Sequence, residues 1–203
     1  MVQNALYSMP HRRRREHLTD YKKRSALVIS GIPRMVVRLS NKHAVVQFVE
    51  AKPQGDQVLA AAKSTELGKF AWKYGGGNLP AAYLTGMLAG VRAIKKGLRK
   101  AVLDIGLRRV SKGARIFGAL KGAVDAGVEV PHDGEILPPE ARIKGEHIAA
   151  YAEQLSTDPE RYRKQFSWYL SKRLKPEEIP SAFEKAREKI AGSEKSGQKE
   201  AEE

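Results

Sequence analysis

Residues 34–50 read Arg-Met-Val-Val-Arg-Leu-Ser-Asn-Lys-His-Ala-Val-Val-Gln-Phe-Val-Glu. Apolar and polar positions alternate on both sides of Asn41-Lys42, which predicts antiparallel strands at 34–40 and 43–50 joined by a tight turn. Asn tolerates the positive φ such a turn needs and Lys suits it less, so the turn type stays open. Setting Ser40 opposite His43 puts Arg38 against Val45, Val36 against Gln47 and Arg34 against Val49. Met35, Val37, Leu39, Ala44, Val46 and Phe48 then form a core face, while Arg34, Arg38, Ser40, His43 and Gln47 share the other. Cations, a hydroxyl, an amide and an imidazole on one open face suit phosphate and ribose; they equally suit plain solvation.

Downstream, a third strand at 57–62, entered by a turn at 53–56, extends this sheet. Ser64-Thr65-Glu66-Leu67 starts a short helix with its acid near the N-terminus. Trp72 and Tyr74 flank Lys73; such aromatics either stack on unpaired bases or close the core, and both readings stay open here. Gly75-Gly76-Gly77 matches neither phosphate-loop pattern and reads as a flexible turn. Asn78 caps a helix reaching about Lys96, with Pro80 in its first turn and Leu84, Met87, Leu88, Val91 and Ile94 as its stripe. Ala82, Gly86 and Gly90 give it a smooth face for close packing on a sheet. A buried strand at 101–105 and a helix at 113–127 follow, the helix with Gly118 and Gly122 as a second smooth face. The fold class is α/β: a mixed sheet with helices packed on one side.

Upstream, residues 1–24 form a basic arm with Arg12, Arg13, Arg14 and Arg15 in succession, then Lys22, Lys23 and Arg24. Adjacent arginines repel, so a helix here is weak alone; the arm is either a solvated tail or, the reading preferred by analogy with arginine-rich segments, one that orders on RNA. Thr19-Asp20 caps a short helix through Val28 and Ile29, stopped by Gly31 and Pro33. Beyond the core (25–139) lies a helical extension at 140–191, then a polar tail at 192–203 expected to be disordered. The extension holds a helix at 140–155, a second from Asp158-Pro159 with Tyr162, Phe166, Tyr169 and Leu170 on one face, and a third striped by Ile179, Phe183, Ala186 and Ile190. Trp168 lies off its helix's stripe, either as a partner anchor or as local packing.

Charge divides the chain in the same place. The net charge of +14 lies wholly in residues 1–149, with 26 Lys/Arg against 12 Asp/Glu; residues 150–203 hold 11 of each. Such a basic excess is the footprint of a polyanion binder, because neutralising phosphates releases their counterions. Residues 92–121 hold ten Lys/Arg and one acid, Asp104, which predicts a second basic patch near Arg108, Arg109, Lys112 and Arg115. The neutral remainder is expected to face protein or water through apolar helix faces. With no Cys, disulfides, thiol catalysis and Cys-based zinc sites are excluded. No apolar run is long enough to span a membrane and no secretory leader is legible, so the expectation is a soluble, cytosolic-type protein. His132-Asp133 with Glu135 matches no ligand spacing, Glu146-His147 lacks the second His of a zincin motif, and no catalytic pattern or cofactor site is found.

Thr19-Asp20-Tyr21, Pro33-Arg34, Arg38-Leu39-Ser40-Asn41-Lys42-His43, Asn78-Leu79-Pro80-Ala81-Ala82-Tyr83-Leu84-Thr85-Gly86, Leu103-Asp104-Ile105-Gly106-Leu107, Leu120-Lys121-Gly122-Ala123-Val124-Asp125-Ala126-Gly127 and Pro131-His132 stand in this order. Over roughly residues 10–155 they resemble the archaeal and eukaryotic type of large-subunit ribosomal protein eighteen, a 5S rRNA-binding family. The resemblance implies a non-enzymatic, cytoplasmic ribosomal protein that attaches 5S rRNA to large-subunit rRNA in the central protuberance. It implies contact with the neighbouring 5S-binding ribosomal protein and other central-protuberance proteins, and none with membrane. RNA contacts are expected from Arg12–Arg15, Lys22, Lys23, Arg24, Arg34, Arg38, Ser40, Asn41, Lys42 and His43, with Trp72 and Lys73 added by the stacking reading. A general RNA chaperone and an RNA-modifying enzyme are the competing classes. Deleting 156–203 is expected to spare isolated 5S binding.

Overall fold

The computed structural model describes residues 8–199, with side chains described to residue 193. Strands β1 (Arg34–Leu39), β2 (Ala44–Lys52) and β3 (Gly55–Lys63) form an antiparallel meander, and β4 (Val102–Asp104) joins β1 in parallel, giving the order β3-β2-β1-β4. The β1–β2 register is the one the alternation predicts, with Arg34 opposite Val49 and Arg38 opposite Val45. Met35, Val37, Val46 and Phe48 are fully buried on the core face. The β2–β3 turn is tighter than expected: Lys52 pairs with Gly55, so the strands consume most of the foreseen loop. The strand expected at 101–105 keeps only three residues, which pair with Arg34, Met35 and Val36 of β1.

Helix α3 (Leu79–Lys95) crosses the core face of the sheet. Asn78 Oδ1 accepts from the Ala81 amide at 2.9 Å, and Pro80 sits where no amide is needed. Every residue from Leu79 to Val91 is buried, so the helix is covered on all sides rather than along one stripe. Of the expected stripe, only Ile94 stands out, at 36% exposed. The smooth glycine face meets a helix, not the sheet. A Cβ on Gly86 would run into the Ala119 carbonyl, and one on Gly122 into that of Tyr83. Both glycines serve the crossing of α3 with α4 (Arg115–Asp125), where backbone lies on backbone. The sheet side is filled by side chains such as Phe48 and therefore needs no glycine.

The helix expected at 64 is a 3₁₀ helix over Ser64–Phe70. The helix expected at 140–155 is broken in two, α5 (Glu140–Lys144) and α6 (Glu146–Leu155), at Gly145. Gly145 has φ +88°, and a side chain there would press on Ile179 and Pro80, so only glycine fits. Two further helices follow, α7 (Pro159–Ser171) and α8 (Ile179–Lys199). Ile179, Phe183, Ala186 and Ile190 are fully buried in the same hydrophobic cluster as α3. The stripe expected to bind partners is thus occupied within the chain. The polar tail also departs from expectation, since α8 continues through residues 192–199, and Lys95 Nζ donates to the Ser193 carbonyl at 2.7 Å. Residues 200–203 and 1–7 lie outside the described residues.

Candidate nucleic-acid interface

The outer face of the sheet carries an alternating row of charges. Arg34 is the hub, donating from Nη1 to Asp104 Oδ2 at 2.9 Å and from Nη2 to Asp56 Oδ2 at 2.7 Å. Arg24 reaches the other Asp56 oxygen at 2.7 Å, and Arg38 reaches Asp104 Oδ1 at 3.0 Å. Burial alone would raise the Asp104 carboxyl, but hydrogen bonds from Arg38 and the Gly106 amide, with the charges of Arg38 and Arg34, hold it below the usual carboxylate range. The Arg24 hydrogen bond lowers Asp56 first, and Arg34 adds to that effect against desolvation. This row corrects the expected open face at one position. Arg34 is 2% exposed and committed to two carboxylates, so it offers nothing to solvent. Arg38 has its side chain 48% exposed beside Asp104.

At the end of this face, Asn41 and Lys42 project outward. The turn closes with the Ser40 amide donating to His43 O at 2.8 Å and the His43 amide donating to Ser40 Oγ at 2.9 Å. His43 is half-buried. Beneath the turn lie the three glycines, which are not a flexible hinge. A Cβ on Gly77 would strike the Asn41 carbonyl, and one on Gly76 would crowd Ser64 Oγ and Lys42 O. Arg115 donates to the carbonyls of Gly77 and Ser40, and Arg108 to that of Leu39. The turn is held from below by backbone and from one side by guanidinium groups.

The arm carries α1 (Arg12–Arg15), whose four arginines are all exposed, and α2 (Tyr21–Ile29), capped by Asp20 accepting from the Lys22 and Lys23 amides. Arg13 Nε donates to Thr19 Oγ1 at 2.9 Å. Lys22 and Lys23 point to solvent, while Arg24 ties α2 to Asp56. The arm helix has no buried residue and stands over the charged row, leaving a cleft of about 1060 Å³ lined by Leu27, Leu103 and Arg38 among others.

Trp72 is a core residue, 3% exposed, with Nε1 donating to Gly75 O at 3.3 Å and its ring 5.4 Å from that of Tyr74. Base stacking by Trp72 is therefore ruled out by burial, and Lys73 alone of that trio is exposed. Tyr74 turns inward and donates to Lys175 O at 3.1 Å. Trp168 is 47% exposed under Lys172, whose Nζ lies 4.2 Å from the ring centroid. Among the described residues no cluster of metal-ligating side chains occurs; Glu135 instead pairs with Lys112, and Asp133 caps a short turn. No described helix is long and apolar enough to cross a membrane.

Sequence reasoning missed Asp56 and Asp104 as partners of the sheet arginines. The signal was present for one of them, because Asp104 is the only acid among ten cations at 92–121. An isolated carboxylate in such a run is a candidate for a buried ion pair. Asp56 sat in a turn by sequence and gave no comparable sign.

A family model described as ribosomal large subunit proteins 60S L5 and 50S L18 matches residues 6–99 and 95–133. Large ribosomal subunit protein uL18 of Aeropyrum pernix is 55% identical over 186 residues, covering 91% of this chain and 87% of the relative. Large ribosomal subunit protein uL18 of Caldivirga maquilingensis is 53% identical over 192 residues, covering 94% and 93%. A sheet built around a protruding basic turn, and similarity over nearly the whole length, lead to one conclusion: the chain belongs to the L5/L18 family of large-subunit ribosomal proteins, a structural and non-enzymatic family.

Proposed function

We propose that this protein binds 5S rRNA and secures it to large-subunit rRNA in the central protuberance of the cytoplasmic ribosome, beside the neighbouring 5S-binding ribosomal protein. The observation that carries the reading is the turn at Asn41-Lys42: two exposed polar residues on a support that cannot give way, with Arg38 next to them. Structured RNA is recognised largely by shape and backbone contacts, and phosphate contacts fix register without reading sequence, which suits a rigid projection flanked by cations. Arg12–Arg15, Lys22, Lys23 and Lys73 supply further exposed cations around it. Arg34 and Trp72 act from inside, by holding the face and the core. The extension at 140–191 carries the protein-facing side of the assembly.

The test compares 5S rRNA with tRNA at raised salt. Selective retention of 5S rRNA is expected; equal retention of both would reduce the protein to a general RNA chaperone. Lys42→Ala should weaken 5S binding and reduce its salt slope by about one unit, with an unchanged urea midpoint. Arg38→Ala is a less clean probe than sequence suggested, because it also takes from the buried Asp104 one of its two arginine partners. Undiminished binding by Lys42→Ala would remove the turn from the interface.

A further inference from the structure

A cleft of about 530 Å³ opens where the loop after β4, the start of α4 and helix α5 meet the end of β1. Arg108, Arg109, Arg115 and Arg142 line it, and among the described residues no carboxylate does. Four guanidinium groups drawn together without a counter-charge repel one another, at a cost to folding. Nearby, where a carboxylate is within reach, pairing occurs: Lys112 of the same loop holds Glu135 at 2.6 Å. The cleft has no such partner.

Two of the four arginines have a structural task. Arg108 donates to the carbonyl of Leu39, and Arg115 to those of Ser40 and Gly77. Those acceptors orient the side chains but leave their charge uncompensated. The other two, Arg109 and Arg142, are exposed, and their side chains make no hydrogen bond or ion pair among the described residues. Leu39, Leu79 and Ile116 also line the cleft, an apolar wall against which charge is poorly screened. Planar guanidinium forks match the oxygens of phosphate.

Position identifies which anion arrives. Leu39 and Ser40, held by Arg108 and Arg115, directly precede the exposed Asn41-Lys42 turn. A polyanion crossing the turn therefore runs next into the cleft. We propose that the cleft is a second phosphate site, which takes the RNA backbone as it leaves the turn. Arg109 and Arg142 contact the phosphate, and Arg108 and Arg115 position the turn beside it. This rests on the RNA-binding reading above and extends it to the helical extension, because Arg142 belongs to α5. The extension is thus not confined to protein contacts.

The experiment uses the full chain and a 5S rRNA transcript, with affinity measured across salt concentrations. Arg109→Gln with Arg142→Gln is expected to flatten the salt slope by roughly one to two units and to weaken binding about tenfold near 0.1 M salt. Its urea midpoint should stay at the wild-type value. Arg109→Lys with Arg142→Lys should keep the slope and recover part of the affinity, since the charge remains while the fork is lost. Unchanged slope and affinity in the Gln variant, while Lys42→Ala still weakens binding, would overturn the cleft and leave the turn standing. Weakened binding in the Gln variant alone would support the cleft and remove the turn. A lowered urea midpoint with an unaltered slope would show the two arginines to be structural and overturn the proposal.

Discussion

Arg34 and Asp104 meet at 2.9 Å across the parallel pair of β1 and β4, although 70 residues separate them in the chain. Their side chains are 3% and 11% exposed, so the pair joins the edge strand to the hairpin out of reach of water. Removing either member takes from the other one of its two charge partners, since Arg34 also holds Asp56 and Asp104 also holds Arg38. Asp104→Asn should therefore destabilise the protein by about 3 kcal/mol, the low end for a broken buried pair, because Asp56 still holds Arg34. Urea unfolding measures this; a loss below about 1 kcal/mol would mean that the pair behaves like a surface one.

The same carboxylates predict the response to acid. Asp104 and Asp56 both have folded-state pKa values below their unfolded ones. Their contribution is fully present above the unfolded value of about 4 and is lost as the pH falls through the folded values. Stability traced from pH 7 downward should stay level until about pH 5 and then drop. The drop should be shallower in Asp104→Asn, and equal slopes in variant and wild type would show that Asp104 is not a source of it.

Arg24 joins the arm helix to the sheet through Asp56, with side chains 37% and 31% exposed. At that exposure the pair contributes no more than about 1 kcal/mol to overall stability. Arg24→Ala should leave the urea midpoint nearly unchanged while the amides of Tyr21–Ile29 exchange faster with solvent. Unaltered exchange in that helix would show that something other than Asp56 holds the arm.

Gly86 and Gly192 make a matched pair of substitutions. A methyl at Gly86 meets the Ala119 carbonyl, whereas nothing lies near one at Gly192. Gly86→Ala should cost about 3 kcal/mol or more through overpacking, and Gly192→Ala in helix α8 should gain about 0.5–1 kcal/mol. Thermal unfolding of the two variants gives the comparison, and shifts of the same sign would contradict it.

Phe183 decides how separable the extension is. It is 1% exposed, with its ring 5.4 Å from that of Tyr83 on α3. Phe183→Ala should cost about 3–5 kcal/mol, and deleting residues 156–203 should uncover α3 and cost the chain its cooperative unfolding. That packing argues against the expectation that this deletion spares RNA binding. Unfolding of the deleted chain as sharp as that of wild type would restore it.

The hairpin was legible because one local pattern settled its strands, register and core face together. The helix capped by Asn78 was legible for the same reason, its cap and Pro80 both lying within one turn. What escaped depended on residues distant in sequence. Nothing local tells Arg34 that Asp56 and Asp104 lie within reach, so a buried hub read as an exposed contact. Gly86 and Gly122 announced close packing but not the identity of the neighbour, which turned out to be another helix. Trp72 beside Lys73 fitted base stacking and core closure equally well, and only its packing against Tyr74 and the glycine loop decided for the core. Arg142 went unnoticed because its importance arises only where α5 folds back beside the loop after β4.

Gly77 lies directly beneath the carbonyl of Asn41. The loss of conformational freedom that a protruding loop would otherwise suffer when it meets its target has already occurred at the moment the chain folds. The Asn41-Lys42 turn is thus set once the chain has folded, and whatever meets it finds its shape fixed in advance.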